Sequence, residues 1–182
     1  MKLSAVLFGA AITIAGSIAM AGAANAAAFT VEALSDSIAS PLDTGLILNP
    51  ALTYDFAVAN PANIWSAGSN SPYSRDSTAN GIDPVASHYG QWTQNGFTAN
   101  FGALVGFTTA DGYFLIGTGP IDLSGLTGDL QLMYWDNNYP DNSGQQVLDV
   151  SSVPEPVTLS LFGAGLVGAA AMRRRRKVGK AA

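Results

Sequence analysis

Cysteine is absent from the 182 residues. That excludes disulfides and thiolate metal sites, so an ordinary apolar core has to hold the fold. Basic residues are almost missing from the middle of the chain. Between Ala27 and Ser152, Arg75 stands alone against Glu32, Asp36, Asp43, Asp55, Asp76, Asp83, Asp111, Asp122, Asp129, Asp136, Asp141 and Asp149, a formal charge of about −11 where the whole chain carries −5. Such a region repels phosphate backbones, which argues against nucleic acid as a partner. It suits solubility outside a cell, and it suits hard cations. Also lacking are a helical period in the middle region, an internal repeat and a second domain. No Ser-His-Asp context, phosphate-binding glycine loop or zinc cluster is present. Asp136 and Asp141 lie in one polar loop with no apolar pocket to raise a carboxylate pKa, so the chain reads as a non-enzyme.

The two ends read as addresses. "MKLSAVLFGAAITIAGSIAMAGAANA" has one Lys2, an apolar run from Leu3 to about Ala21, and Ala24-Asn25-Ala26 in the form of a signal-peptidase site. The expectation is a signal peptide over 1–26, cleaved between Ala26 and Ala27; the alternative is a retained amino-terminal anchor. At the other end, Val153 and Pro154-Glu155-Pro156 precede an apolar run from Val157 to Met172 and a basic segment, 173–180, that contains Arg173, Arg174, Arg175 and Arg176. Sixteen residues in a helix span about 24 Å, against a hydrocarbon core of about 30 Å, so the run can cross a bilayer if arginines snorkel. The basic cluster then stays cytoplasmic. Pro-Glu-Pro is extended and cannot enter the following helix beyond its first turn, which leaves it accessible beside the membrane.

This tripartite order over 153–182 resembles the PEP-CTERM sorting signal read by exosortases of Gram-negative bacteria. The resemblance implies an exosortase as partner, transient anchoring in the inner membrane, removal of the tail, and delivery to the outer cell surface or the extracellular matrix. The alternative is a permanent single-span anchor.

What remains, 27–152, reads as one all-β domain. Short runs rich in β-branched and aromatic residues occur at Val31–Leu34, Leu52–Val58, Ala103–Thr108, Tyr113–Gly117, Leu130–Trp135 and Gln146–Val150, separated by Gly, Pro, Asn and Asp. Leu130, Leu132 and Tyr134 alternate with Gln131 and Met133, which points one row inward. Asn95-Gly96 between "QWTQ" and "FTAN" is a two-residue hairpin signal. The architecture expected is a single antiparallel β-sandwich. Ala59 to Tyr89 has almost no periodicity and reads as a long loop holding Trp65, Tyr73, Arg75 and His88. Trp65, Trp92 and Trp135 could stack on sugar rings or fill the core.

The stretch "YWDNNYPDNSG", Tyr134 to Gly144, collects carboxylates and amides directly after an alternating run. Calcium takes six to eight oxygens from carboxylates, amide carbonyls and backbone, and a turn after a strand supplies several. An EF-hand is excluded, because Pro140 stands fifth, Asp141 stands where glycine is needed, and Val147 stands at the position that demands glutamate. The spacing fits either a metal site or a β-turn rich in Asn and Asp.

Residues 101–144 resemble the carboxy-terminal half of the calcium-dependent galactophilic bacterial lectins and their galactose-binding-like relatives. The likeness rests on Gly102-Ala103-Leu104-Val105-Gly106, on "GYFLIG" at 112–117, and on the Asp136 to Gly144 stretch closing on Asn-Ser-Gly. It implies a galactose-binding-like sandwich with calcium held by Asp136, Asp141 and Asn142 and by a backbone carbonyl near Gly68, after Trp65. The loop after Asp136 is shorter than the family's, and Asn138 stands in for a threonine ligand. The resemblance also implies sugar hydroxyls on the calcium, sugar contacts from Asp136 and Asn142, and a histidine and glutamine pair on the ligand, here His88 and Gln91. The function expected is an exported, carbohydrate-binding protein of the cell surface or matrix, with galactosides or matrix polysaccharide as ligand. The alternative is a non-catalytic structural protein of the polysaccharide matrix with no sugar site.

Overall fold

The computed structural model describes residues 26–68, 75–84, 90–137, 139–153 and 165. In chain order the strands are β1 (Ala26–Glu32), β2 (Leu42–Leu48), β3 (Thr53–Val58), β4 (Trp65–Ser66), β5 (Asp76–Ser77), β6 (Gln91–Gln94), β7 (Phe97–Asn100), β8 (Leu104–Thr108), β9 (Gly112–Leu115), β10 (Ile121–Ser124), β11 (Gly128–Tyr134) and β12 (Gln145–Val153). Two four-stranded antiparallel sheets, β1-β12-β3-β10 and β2-β11-β8-β9, form the sandwich expected from the sequence.

The core lies between the sheets. From the first come Val31, Tyr54, Phe56, Val58, Leu148 and Val150, and from the second Leu48, Leu104, Leu130, Leu132 and Tyr134. Each is separated from the next on its strand by two, as a pleated face requires. The end of the other row of β11 is buried too. Met133 and, just past the strand, Trp135 join Val105, Ala99 and Ala103 in a second cluster, packed on Trp92, Phe97, Phe107 and Tyr113. What covers this outer face is the β6–β7 hairpin, whose turn sits at Asn95 (φ 52°) and Gly96 (φ 80°), both in the left-handed region favoured by a two-residue hairpin loop. Trp135 stacks near Trp92, Phe97 and Tyr113 with ring centroids 5.4, 5.2 and 5.3 Å away, and its Nε1 donates to the Trp92 carbonyl at 3.1 Å.

Three local expectations are revised. Strand β2 is not among the runs read from the sequence, although Leu42, Thr44, Leu46 and Leu48 alternate inward; Asp43 and Gly45 stand between them, and Asp43 accepts the Gly45 N–H locally, at 3.0 Å. Strand β10 is a four-residue edge, too short to register as a pattern. The segment after Ala59 is not a free loop, since Trp65, Ala67, Ala79 and Ile82 enter the core and β4 pairs with β5.

Two ends of the sandwich matter for function. Strand β12 pairs with β1 from Ala26↔Ser151 to Glu32↔Gln145. The expected signal-cleavage junction at Ala26 and Ala27 and the last residues before Pro154 therefore share one end. The loop from Asp136 to Gly144 stands at the other, about 26 Å away along the nine residues of β12. Among the described residues no helix is long and apolar enough to cross a membrane. The expected signal peptide before Ala26 and the span 157–172 (Gly165 apart), with Pro154, Glu155, Pro156 and Arg173 to Arg176, lie outside the described residues.

Candidate functional site

Strand β11 delivers Asp136 into the interior, with 2% of its surface exposed. The neighbouring backbone braces it. Its own N–H donates to the Tyr134 carbonyl at 2.7 Å, its carbonyl accepts the Ile38 N–H at 3.2 Å, and the Tyr134 N–H donates to the Asp36 carbonyl at 2.7 Å. A single 3-10 turn over Tyr139–Asp141 then leads to Asn142, which is 4% exposed. The Asn142 Nδ2 donates to the Ala33 carbonyl at 3.1 Å, while its Oδ1 is buried with no partner among the described atoms. A buried amide oxygen without a donor is costly, and a cation would satisfy it.

The loop after Trp65 comes to the same place. Ser66 and Ser143 exchange backbone hydrogen bonds of 2.8 and 3.0 Å, which lock it to the turn before β12. Two residues on, Gly68 has φ +94°, and a Cβ built there would collide with the Asp141 carboxylate. Only glycine lets the backbone approach that closely. The Ser66 hydroxyl donates to the Gly68 carbonyl at 3.3 Å. Gly68 and Asp141 thus meet, Asn142 follows Asp141 in the chain, and Asp136 opens the same loop at the end of β11.

Arg75, the lone base of the middle region, also belongs here. Its Nη1 lies 3.5 Å from Asp141 Oδ2 and donates to the Ala67 carbonyl at 3.1 Å. Beneath the loop, Tyr134 is fully buried. Burial first, and the charge of Asp136 next, push its hydroxyl pKa far up, with Asp141 and Asp76 adding to the rise. Ser77 opposes this slightly from nearby, without forming a well-directed hydrogen bond. The hydroxyl therefore stays protonated at any physiological pH. Of the four buried side-chain oxygens without partners among the described residues, three (Ser37 Oγ, Tyr134 Oη, Asn142 Oδ1) lie on segments that brace or form this loop.

The residues singled out by sequence fare differently. Gly68 and Asp141 come into contact, Asn142 follows Asp141 with its amide turned to the Ala33 carbonyl, and Asp136 is buried at the end of β11. Asn138 and His88 lie outside the described residues. Gln91 opens β6 on the hairpin rather than in the loop; its neighbour Trp92 is tied to Trp135, the residue before Asp136. Trp65 and Trp135 are buried at 1% and 0% exposure, so neither presents a ring face to a ligand. Among the described residues no three His, Asp or Glu side chains form a metal cluster. A cation here would depend on amide and backbone oxygens beside Asp136 and Asp141, a donor mix that calcium accepts. Arg75 and Tyr134 were not singled out as part of the site; the one available signal was that Arg75 is the only base for more than a hundred residues.

The described residues form an all-β sandwich with a loop rich in carboxylates and amides at one end. The chain carries a PEP-CTERM protein-sorting motif over residues 152–176, which includes Pro154 to Pro156 and Arg173 to Arg176, as the tripartite tail suggested. It is an exported protein with a carboxy-terminal sorting signal, and that signal begins inside the last two residues of β12. No curated protein matches the chain. Among solved structures, one described as an EclA N-terminal domain, PllA-like lectin, is similar at 17% identity and a TM-score of 0.47, over 69% of this chain and 95% of that one.

Proposed function

We propose that the chain is a cell-surface or matrix carbohydrate-binding protein, processed by an exosortase, whose site is built on calcium. The observation that carries this reading is the contact of Gly68 with Asp141, next in the chain to Asn142, whose buried Oδ1 has no partner among the described atoms. Asp136, Asp141, Asn142 Oδ1 and the Gly68 carbonyl would hold the ion. Calcium there supplies open coordination positions that adjacent sugar hydroxyls can fill. The residues of the chain do the rest. Burial of Asp136 and the backbone bonds at Ile38 and Ser66 fix the donors in place, so little ordering has to accompany binding. The resemblance of residues 101–144 to galactophilic lectins supports a galactoside as ligand.

The placement of the site supports display. The tail and the expected mature terminus share one end of the sandwich and the loop occupies the other, so an anchored chain holds its site away from the membrane. A second reading, a structural matrix protein with no sugar site, is favoured by one observation, that Arg75 already pairs with Asp141.

Calorimetry on the full-length chain in mild detergent, titrated first with calcium and then with galactosides or the native polysaccharide, separates the two. Heat in both steps supports the proposal. Heat with calcium but none with any glycan leaves the structural reading, and heat in neither removes the site.

A further inference from the structure

The only arginine of the middle region pairs with Asp141, one of the calcium ligands proposed above. Its Nη1 is shared between the Ala67 carbonyl at 3.1 Å and Asp141 Oδ2 at 3.5 Å, the same two kinds of oxygen that calcium collects. We propose that Arg75 is a built-in counter-cation of this site, which a divalent ion must displace, so that the exchange sets the calcium level at which the site loads. This rests on the calcium reading above.

The backbone of Arg75 is held in place, and its side chain is 16% exposed. Its carbonyl accepts the Ala67 N–H at 3.1 Å, next to the β4–β5 pairing of Ser66 with Asp76. The guanidinium cannot shed its proton, so only movement removes its charge from the site. Its hold on Asp141 is loose, because a strong charge-assisted bond runs at about 2.7–2.9 Å. Asp141 is 40% exposed at its side chain, which leaves it reachable by an ion from solvent. One positive charge also does not exhaust the site. Asn142 Oδ1, at 4% exposure for the residue, has no donor among the described atoms. A divalent ion can take that oxygen together with Asp141.

The test compares full-length wild type, Arg75→Gln and Arg75→Lys in detergent, by calcium calorimetry and by thermal midpoint in chelator. Removing the nearby positive charge should tighten calcium binding by about tenfold or more in Arg75→Gln. Arg75→Lys keeps the charge and should stay close to wild type in affinity. In chelator Arg75→Gln should melt at or below the wild-type midpoint. In the wild type, calcium should shift the Arg75 Nε–H proton resonance and speed its exchange, a readout that needs no variant to fold. Equal calcium affinity in wild type and Arg75→Gln, or an unmoved Arg75 resonance in a calcium-loaded chain, makes the pair a bystander and overturns the proposal. Weaker binding in Arg75→Gln also overturns it, by making Arg75 a support for the ligands. If no variant titrates calcium at all, the calcium reading fails first and the exchange falls with it.

Discussion

Gly68 lies so close to Asp141 that no side chain fits between them: a Cβ at Gly68 would enter the Asp141 carboxylate. Two loops far apart in the chain are thereby joined at a point where backbone and acid oxygens meet. Gly68→Ala meets both this clash and a φ of +94°. The expected cost is about 1–3 kcal/mol of stability, together with loss of any calcium-dependent rise in melting temperature. An unchanged midpoint in chemical denaturation would mean that the two loops do not meet as described.

The β6–β7 hairpin depends on aromatic packing, because among the described residues its strands pair only with each other. Trp135 contacts Trp92, Phe97 and Tyr113 and is fully buried. Trp135→Ala should cost about 3–5 kcal/mol. It should also expose the Asn95-Gly96 turn to limited proteolysis before the rest of the domain. Cleavage that spares the hairpin would show that other contacts hold it.

Tyr134 gives stability a pH limit on the alkaline side. Its folded pKa is raised above the unfolded value of 10.0, chiefly by burial and then by Asp136. Stability is therefore full below pH 10 and falls as pH rises beyond it, by about 1.4 kcal/mol per pH unit for this one group. Tyr134→Phe should flatten that fall. Because the hydroxyl has no partner among the described atoms, the variant should lose little at neutral pH. A variant as alkali-sensitive as the wild type would assign the fall elsewhere.

The processing account concerns the end of the sandwich opposite the site. The mature chain should begin "AAFTVE" at Ala27, and replacement of Pro154, Glu155 and Pro156 by alanine should retain the chain in the membrane fraction. Mass spectrometry of the secreted and membrane pools checks both. A surface-delivered chain that still contains Arg173 to Arg176 would favour the permanent anchor.

The sandwich was legible where local pattern and tertiary demand agree. Leu130, Leu132 and Tyr134 alternate because one face of β11 meets the core, and Asn95-Gly96 tolerates the left-handed turn that the hairpin needs. Legibility failed where pairing overrides pattern. Asp43 and Gly45 look like a turn yet lie in β2, held there by β11 across a register shift between Asp129 and Gln131. Trp65 gave no periodic signal, and long-range packing alone buries it. Of the candidate site, the Asp136 to Asn142 stretch stood out because its acids and amides are contiguous. Arg75 beside Asp141 could not, since nothing local relates a base in one loop to an acid in another.

The central claim is that Asp136 and Asp141 hold a calcium ion. The thermal midpoint of the full-length chain, with calcium and with chelator, tests it against Asp136→Asn and Asp141→Asn. A bound ion stabilises the folded state by about 2.7 kcal/mol at a hundred times its Kd. The wild type should therefore melt several degrees higher with calcium, and each variant should melt at the same temperature with calcium as with chelator. A wild type indifferent to calcium, or variants that keep the full rise, would contradict the account and leave the loop an ordinary polar turn.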